Sequence, residues 1–239
     1  MKPTLLCKGS DSFLYDAKSS FNIQSRWFDL DFHRQQGRMT AIAQGRGQTC
    51  FFSYQDDRYV LRHYRRGGRI ASWLDDRYLW TGLERTRAFR EWRLLAKLRQ
   101  HRLPVPDPVA ARVVRWGIFY RADLVMREIQ DSHTLAIHLM RLPLSFEQWR
   151  KIGRSIRDFH EAGVFHADLN AHNIVIDSLG KVFLIDFDKG AIRKSSTRWK
   201  QSNLMRLHRS LLKIRRLHPE FQFDDSAFRE LQAAYREAS

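Results

Sequence analysis

The stretch FHADLNAHNIVIDSLGKVFLIDFD, residues 165–188, sets the tightest limit on how this chain can fold. Two short β-rich runs, NIVID and KVFLID, flank a turn at Ser178–Leu179–Gly180. Short runs split by a glycine-containing turn predict a hairpin. The polar loop HADLNAHN leads into the first run, and Asp-Phe-Asp leaves the second. His166, Asp168, Asn173 and Asp186 therefore stand at the ends of one strand pair, which fixes their mutual geometry.

The surrounding chain can support such a hairpin. Its 239 residues suffice for one large domain or two small lobes with a real core. Apolar content of 43% is that of an ordinary soluble protein. No apolar run approaches the ~18 residues of a membrane span. The opening MKPTLLCKGSDSF lacks an apolar region followed by a cleavage site, which argues against secretion. Cys7 and Cys50 are too far apart to suggest a disulfide framework or a zinc site. A cytoplasmic setting is expected. Lys and Arg outnumber Asp and Glu 42 to 26, a net charge of +16. That excess concerns partners rather than fold. It suits nucleic acid, anionic lipid or a phosphorylated substrate, or else a merely soluble basic surface.

No repeat, low-complexity tract or long linker interrupts the chain. Residues 1–38 are poorly patterned, although WFDLDF (Trp27–Phe32) is expected to pack. MTAIAQ, TCFFSY and RYVLRHY read as strands, the first two joined by GRG and the last two by a turn at residues 55–57. Residues 81–101 read as a helix, with Thr81 and Glu84 as its capping box and Phe89, Trp92, Leu95 and Leu98 on one face. Prolines 104, 106 and 108 end it. Residues 109–126 read as two strands turning at Trp116–Gly117, and residues 132–142 as a short helix. Ser145 and Gln148 cap a further helix, lined by Phe146, Trp149, Ile152, Ile156 and Phe159 and stopped at Gly163. Residues 198–236 read as helical. The expectation is an α+β chain in two lobes: a β-rich lobe with one long helix, residues 1–128, and a helical lobe, residues 129–239.

His166-Ala-Asp168-Leu-Asn-Ala-His-Asn173 matches the H-x-D-L-x-x-x-N catalytic loop of kinases at every spacing. Asp186 follows 18 residues after Asp168. Phosphoryl transfer needs one carboxylate to orient the acceptor hydroxyl and take its proton, and that is the role expected of Asp168. It also needs oxygen ligands for Mg²⁺, expected of Asn173 and Asp186. His166 is expected to pack the loop. These residues make the chain similar to the protein-kinase-like superfamily. LRHYRRGG, YLWTGLERTRAFREWRLLAKLR and LPVPDPVAARV make it resemble the 3-deoxy-D-manno-octulosonic acid (Kdo) kinases of the lipopolysaccharide kinase family. That resemblance runs from about Gly37 onward. It implies a two-lobed protein-kinase-like fold and ATP with Mg²⁺. It also implies a Kdo hydroxyl, with the 4-hydroxyl expected, on a Kdo–lipid IVA glycolipid at the cytoplasmic face of the bacterial inner membrane.

Other kinase parts are sought upstream. Gly45-Arg-Gly47 fits a turn covering the phosphates, though Cys50 takes the place of a third glycine and a plain hairpin turn reads as well. Arg62 stands where kinases carry a lysine, and its fork of donors can clamp phosphate oxygens. Arg65 or Arg66 could serve instead. Glu91 shares a helix face with Leu94, Leu95 and Leu98, as a partner for that arginine or as a surface acid. Glu128 is the expected backbone contact for adenine at the lobe junction.

Three departures disfavour a protein acceptor. Ala167 replaces the arginine that contacts a phosphorylated activation loop, Asp188 replaces the glycine of D-F-G, and no A-P-E follows. The remaining segment, Lys189 to Thr197, suits a small or membrane-borne hydroxyl. Beyond Trp199, Leu204, Leu207, Leu211 and Ile214 form one stripe, and Arg206, Arg209, Lys213 and Arg216 another. The basic stripe reads as a solvated face or as a surface for anionic lipid and substrate phosphates. Nucleic acid is not an expected partner. The alternatives are a kinase of a core heptose, an aminoglycoside or a protein, and a non-catalytic basic binding module of kinase shape.

Overall fold

The computed structural model describes residues 1–18, 23–43, 48–65 and 76–237. The chain packs as two units, residues 1–100 with 106–128, and residues 101–105 with 129–239. Gly45, Gly47 and Arg66 lie outside the described residues.

The first unit is built on strands β1 (Pro3–Lys8), β2 (Asp11–Asp16), β3 (Met39–Ala43), β4 (Gln48–Tyr54), β5 (Asp57–His63), β6 (Tyr78–Leu79), β7 (Pro108–Trp116) and β8 (Phe119–Arg127). Among the described residues their order is β1-β2-β7-β8-β5-β4-β3, with β6 also on β8, and every pairing is antiparallel. The first hairpin is a finding that the sequence reading leaves out. Gly9, at φ 59°, makes its turn. Phe13 and Leu14 are both 1% exposed, so consecutive residues of β2 are buried and the alternation that marks a half-exposed strand is lost.

Period-two geometry gives β5 two different faces. Tyr59 and Leu61 join a core with Phe13, Trp27, Phe28 and Phe52, so WFDLDF does pack. Arg62 points instead to α2 (Arg87–Gln100), which follows α1 (Leu30–Gln35) in chain order. Phe89, Trp92, Leu95 and Leu98 of α2 are all buried, as its periodicity predicts. Its start differs from the expectation. Leu83–Arg85 form a 3₁₀ turn, Gly82 is at φ 110°, and the α-helix begins only at Arg87. Glu84 pairs with Arg93 at 2.6 Å instead of closing a box with Thr81.

The second unit contains β9 (Ser132–Thr134), α3 (Leu135–Arg141), α4 (Phe146–Glu161), β10 (Val164–Phe165), β11 (Ile174–Asp177), β12 (Val182–Leu184), β13 (Ala191–Ile192), α5 (Thr197–Leu217) and α6 (Asp225–Arg236). Ser145 Oγ accepts from the Gln148 amide at 3.2 Å and caps α4. Trp149, Ile152, Ile156 and Phe159 are buried, but Phe146, in the first turn of α4, is 56% exposed. Gly163, at φ 73°, ends the helix. Gly153 permits close packing of α4 on α6, because a Cβ there would lie 2.2 Å from the Leu231 carbonyl oxygen. The helical tail is two helices, interrupted at residues 218–224, where Pro219 cannot continue α5. Among the described residues no helix is long and apolar enough to cross a membrane.

Candidate active site

The hairpin of residues 174–184 places the polar residues at its open end. β11 and β12 pair Ile174 with Leu184, and the Ile185 amide donates to the Asn173 carbonyl at 3.0 Å. At the closed end, Asp177 Oδ1 accepts from the Leu179 and Lys181 amides at 3.0 and 2.8 Å. Asn173 and Asp186 are thus brought to neighbouring positions by strand register.

The Asn173 side chain also bridges back to the loop, with Nδ2 donating to the Asp168 carbonyl at 2.8 Å. Only the nitrogen of a carboxamide can donate, so this bond fixes which way the group points. Its oxygen is left without a protein partner among the described residues. Asp186 adopts φ 62°, a left-handed conformation that Asp tolerates better than most residues. Phe187 is 1% exposed, packing on Phe159 at 5.9 Å and on His166 at 4.9 Å, and so anchors Asp-Phe-Asp. One carboxamide oxygen and one carboxylate form a hard oxygen donor set of the kind Mg²⁺ takes beside substrate phosphates. The described residues hold no group of three or more His, Cys, Asp or Glu that could bind a metal unaided.

His166 supports the loop from below, as its expected packing role requires. Nδ1 accepts from the Asp168 amide at 3.2 Å, so the ring proton is on Nε2, which donates to the Ile185 carbonyl at 2.9 Å. Burial lowers its pKa, outweighing the bond to Ile185, so the ring is neutral.

Helix α5 fastens the same loop at successive turns. The Asn203 carboxamide is 2% exposed; its Nδ2 donates to the His166 carbonyl at 3.0 Å and its Oδ1 accepts from the His166 amide at 3.3 Å. The same oxygen accepts from His160 Nε2 at 3.3 Å, while Tyr235 donates to His160 Nδ1 at 2.8 Å. Burial drives the pKa of His160 down to about 4. Ser210 Oγ accepts from the Ala171 amide at 3.3 Å. Between these two contacts, Arg206 Nη1 donates to Asp168 Oδ1 at 3.1 Å. Arg206 therefore leaves the basic stripe in which the sequence reading groups it with Arg209, Lys213 and Arg216.

The segment after Asp188 is held as well. β13 pairs with β10, the Arg193 backbone amide donates to the Gly163 carbonyl at 2.8 Å, and the Arg193 guanidinium lies over Phe165. Trp199 Nε1 donates to the Lys194 carbonyl at 3.0 Å.

In the first unit Arg62 reaches Glu91 at 3.1 Å, and Tyr64 donates to the other carboxylate oxygen at 2.5 Å. Glu91 is 2% exposed, which removes the reading of it as a surface acid. Burial and the Glu91 charge raise the pKa of Tyr64, so the phenol keeps its proton and donates. Arg65 lines a surface cavity with Leu61, His63 and Arg112, on the β5 face away from Arg62. The Glu128 amide extends the β5–β8 ladder by donating to the Arg58 carbonyl at 2.9 Å, and its carboxylate pairs with Arg58 at 3.0 Å. The sequence reading does not find Asn203, Tyr64 or Ser210. Asn203 carries a usable signal, a carboxamide beside the apolar stripe of Leu204, Leu207 and Leu211.

A sequence model of the lipopolysaccharide kinase (Kdo/WaaP) family matches residues 30–235. The chain is 48% identical over 180 residues to the 3-deoxy-D-manno-octulosonic acid kinase of Xylella fastidiosa (strain 9a5c), covering 75% of this chain and 72% of that protein. It is 45% identical over 183 residues to the Vibrio cholerae serotype O1 kinase of the same name, covering 77% of each. The Photobacterium profundum kinase of that name is 42% identical over 208 residues, covering 87% of this chain and 88% of its own.

Proposed function

This chain belongs to the lipopolysaccharide kinase (Kdo/WaaP) family, and on that premise we propose that it phosphorylates Kdo with ATP. The acceptor in this reading is a Kdo residue on a lipid A precursor, and the position is the 4-hydroxyl. The observation that carries it is the bond from Asn173 to the Asp168 carbonyl, which ties the expected base to one expected metal ligand. The relatives named as 3-deoxy-D-manno-octulosonic acid kinases support the acceptor.

Each residue then has a task. Asp168 orients the acceptor hydroxyl and takes its proton as the bond to the γ-phosphorus forms and the bond from that phosphorus to the bridging oxygen of ADP breaks. His166 holds the Asp168 amide, and Asn203 in turn holds the His166 backbone. Asn173 and Asp186 would hold Mg²⁺, which when bound neutralises charge on the phosphates. Arg62, fixed by the buried Glu91, offers its fork to phosphate oxygens. Gly45 and Gly47 would let backbone amides approach the triphosphate, and Glu128, whose amide is taken by Arg58, would offer its backbone carbonyl to adenine.

We also propose peripheral attachment to the cytoplasmic face of the inner membrane. Supporting it are the net charge of +16, the exposed Arg209, Lys213 and Arg216 on α5, and the neighbouring exposed Met205 and Leu217. The decisive experiment incubates the protein with ATP, Mg²⁺ and Kdo–lipid IVA, then analyses the product by mass and NMR. One added phosphoryl group on Kdo O4 is the expected result. Transfer to another acceptor in preference, or none, overturns the reading. Liposome flotation with anionic and neutral vesicles tests the membrane proposal.

A further inference from the structure

The pairing of Arg206 with Asp168 is more than a surface ion pair. Exposed pairs contribute only ~0–1 kcal/mol, and both partners are well exposed, at 48% and 40% of their side chains. Stability therefore gives little reason to place an arginine there. Its position is nevertheless fixed. Asn203, Arg206 and Ser210 fall at i, i+3 and i+7 on α5, and the outer two bond the loop backbone. The residue between them is held over the carboxylate that meets the acceptor hydroxyl.

The loop itself supplies no positive charge, since Phe165 to Asn173 contains neither Lys nor Arg. Arg206 spends one donor, Nη1, on Asp168. A guanidinium carries five donors in a planar fork, a shape that matches a carboxylate. The acceptor proposed above is an acid, with its carboxylate on the sugar ring, a few bonds from each ring hydroxyl. We propose that Arg206 is the acceptor-recognition residue. Its guanidinium, docked on Asp168, binds the carboxylate of the acidic sugar and sets a ring hydroxyl against the Asp168 carboxylate. This inference rests on the acceptor reading given above.

The test compares Kdo–lipid IVA with its carboxyl methyl ester, using the wild-type protein, Arg206→Gln and Arg206→Lys. Charge-assisted hydrogen bonds of this kind correspond to a factor of ~10–100. The wild type should prefer the acid to the ester by that factor in kcat/KM. Arg206→Gln should lose that factor against the acid, mainly through acceptor KM, and no longer distinguish acid from ester. Arg206→Lys keeps the charge without the fork and should retain part of the preference. If Arg206→Gln loses equally against both acceptors, the arginine serves the phosphoryl group or the loop, and the inference fails. If either variant discriminates as strongly as the wild type, it also fails. If the wild type phosphorylates neither compound, the acceptor reading itself falls and takes the inference with it.

Discussion

Asn203 touches no substrate in the mechanism above, yet its loss should be felt in both stability and rate. Replacing it by alanine removes three hydrogen bonds, to the His166 amide, to the His166 carbonyl and to His160 Nε2. Each is worth ~1 kcal/mol net, and an orphaned buried partner costs ~1–3 kcal/mol. Asn203 is 2% exposed, so water does not readily replace it. A destabilisation of about 3–4 kcal/mol follows, which for a chain of this size lowers Tm by ~6–16 °C. The kinetic effect is separate. A catalytic group displaced by ~1 Å can cost ~100-fold. Below the melting range of both proteins, Asn203→Ala should therefore lose ~10–100-fold in kcat with little change in nucleotide affinity. Asn203→Asp adds a control, because it keeps both acceptor contacts but cannot donate to the His166 carbonyl. Its stability should recover in part as pH falls, because the new negative charge favours protonated His160. Calorimetry and steady-state kinetics decide the matter. An alanine variant that melts within about 2 °C of the parent and turns over normally would refute the claim that α5 positions the loop.

Four further outcomes follow from the geometry. Asp168→Asn should lose nearly all transfer while binding Mg²⁺–ATP normally in calorimetric titration; residual turnover near the parent's would remove Asp168 as the base. Tyr64→Phe leaves the buried Glu91 carboxylate one donor short and should cost ~1–3 kcal/mol in urea melts. Gly153→Ala gains ~1 kcal/mol of helix propensity. It meets the Leu231 carbonyl at 2.2 Å, however, and overpacking of that kind costs ~1–3 kcal/mol. A net loss is expected, and a stabilised variant would show that α4 and α6 part freely. The pH dependence has opposite signs in the two units. The pKa of His160 falls from 6.5 to about 4, so its contribution is full above pH 6.5 and is lost as pH falls from 6.5 toward 4. That amounts to about 3 kcal/mol at 1.36 kcal/mol per unit. Burial opposes protonation of His63, but Asp123 at 2.6 Å and Asp76 raise its pKa overall. Its contribution is full below 6.5 and is lost as pH rises through the raised value. Urea melts of His160→Gln and His63→Gln across pH 4–9 check both signs; a His160→Gln profile parallel to the parent's below 6.5 would contradict the first.

Local patterns make much of this legible. The hairpin of residues 174–184, the buried face of α2 and the Ser145 cap all follow from short-range periodicity and capping chemistry, and each is present. The pairing of Arg62 with Glu91 is readable because an acid on an apolar helix face needs a partner. What stays hidden depends on contacts between distant residues. β2 is buried on both sides and so shows no alternation. The start of α2 turns on Gly82, whose φ of 110° breaks the helix before the apparent capping box can close. Arg206 reads as one member of a basic stripe, because helical spacing gives the angle of a side chain but not what lies opposite it. Only the fold brings Asp168 to that angle.

The fastening of residues 189–199 bears on how this protein opens. Its ladder joins the strand that enters the Asp168 loop to the segment that follows Asp186. The amides on both sides of that ladder should therefore exchange hydrogen with similar opening free energies.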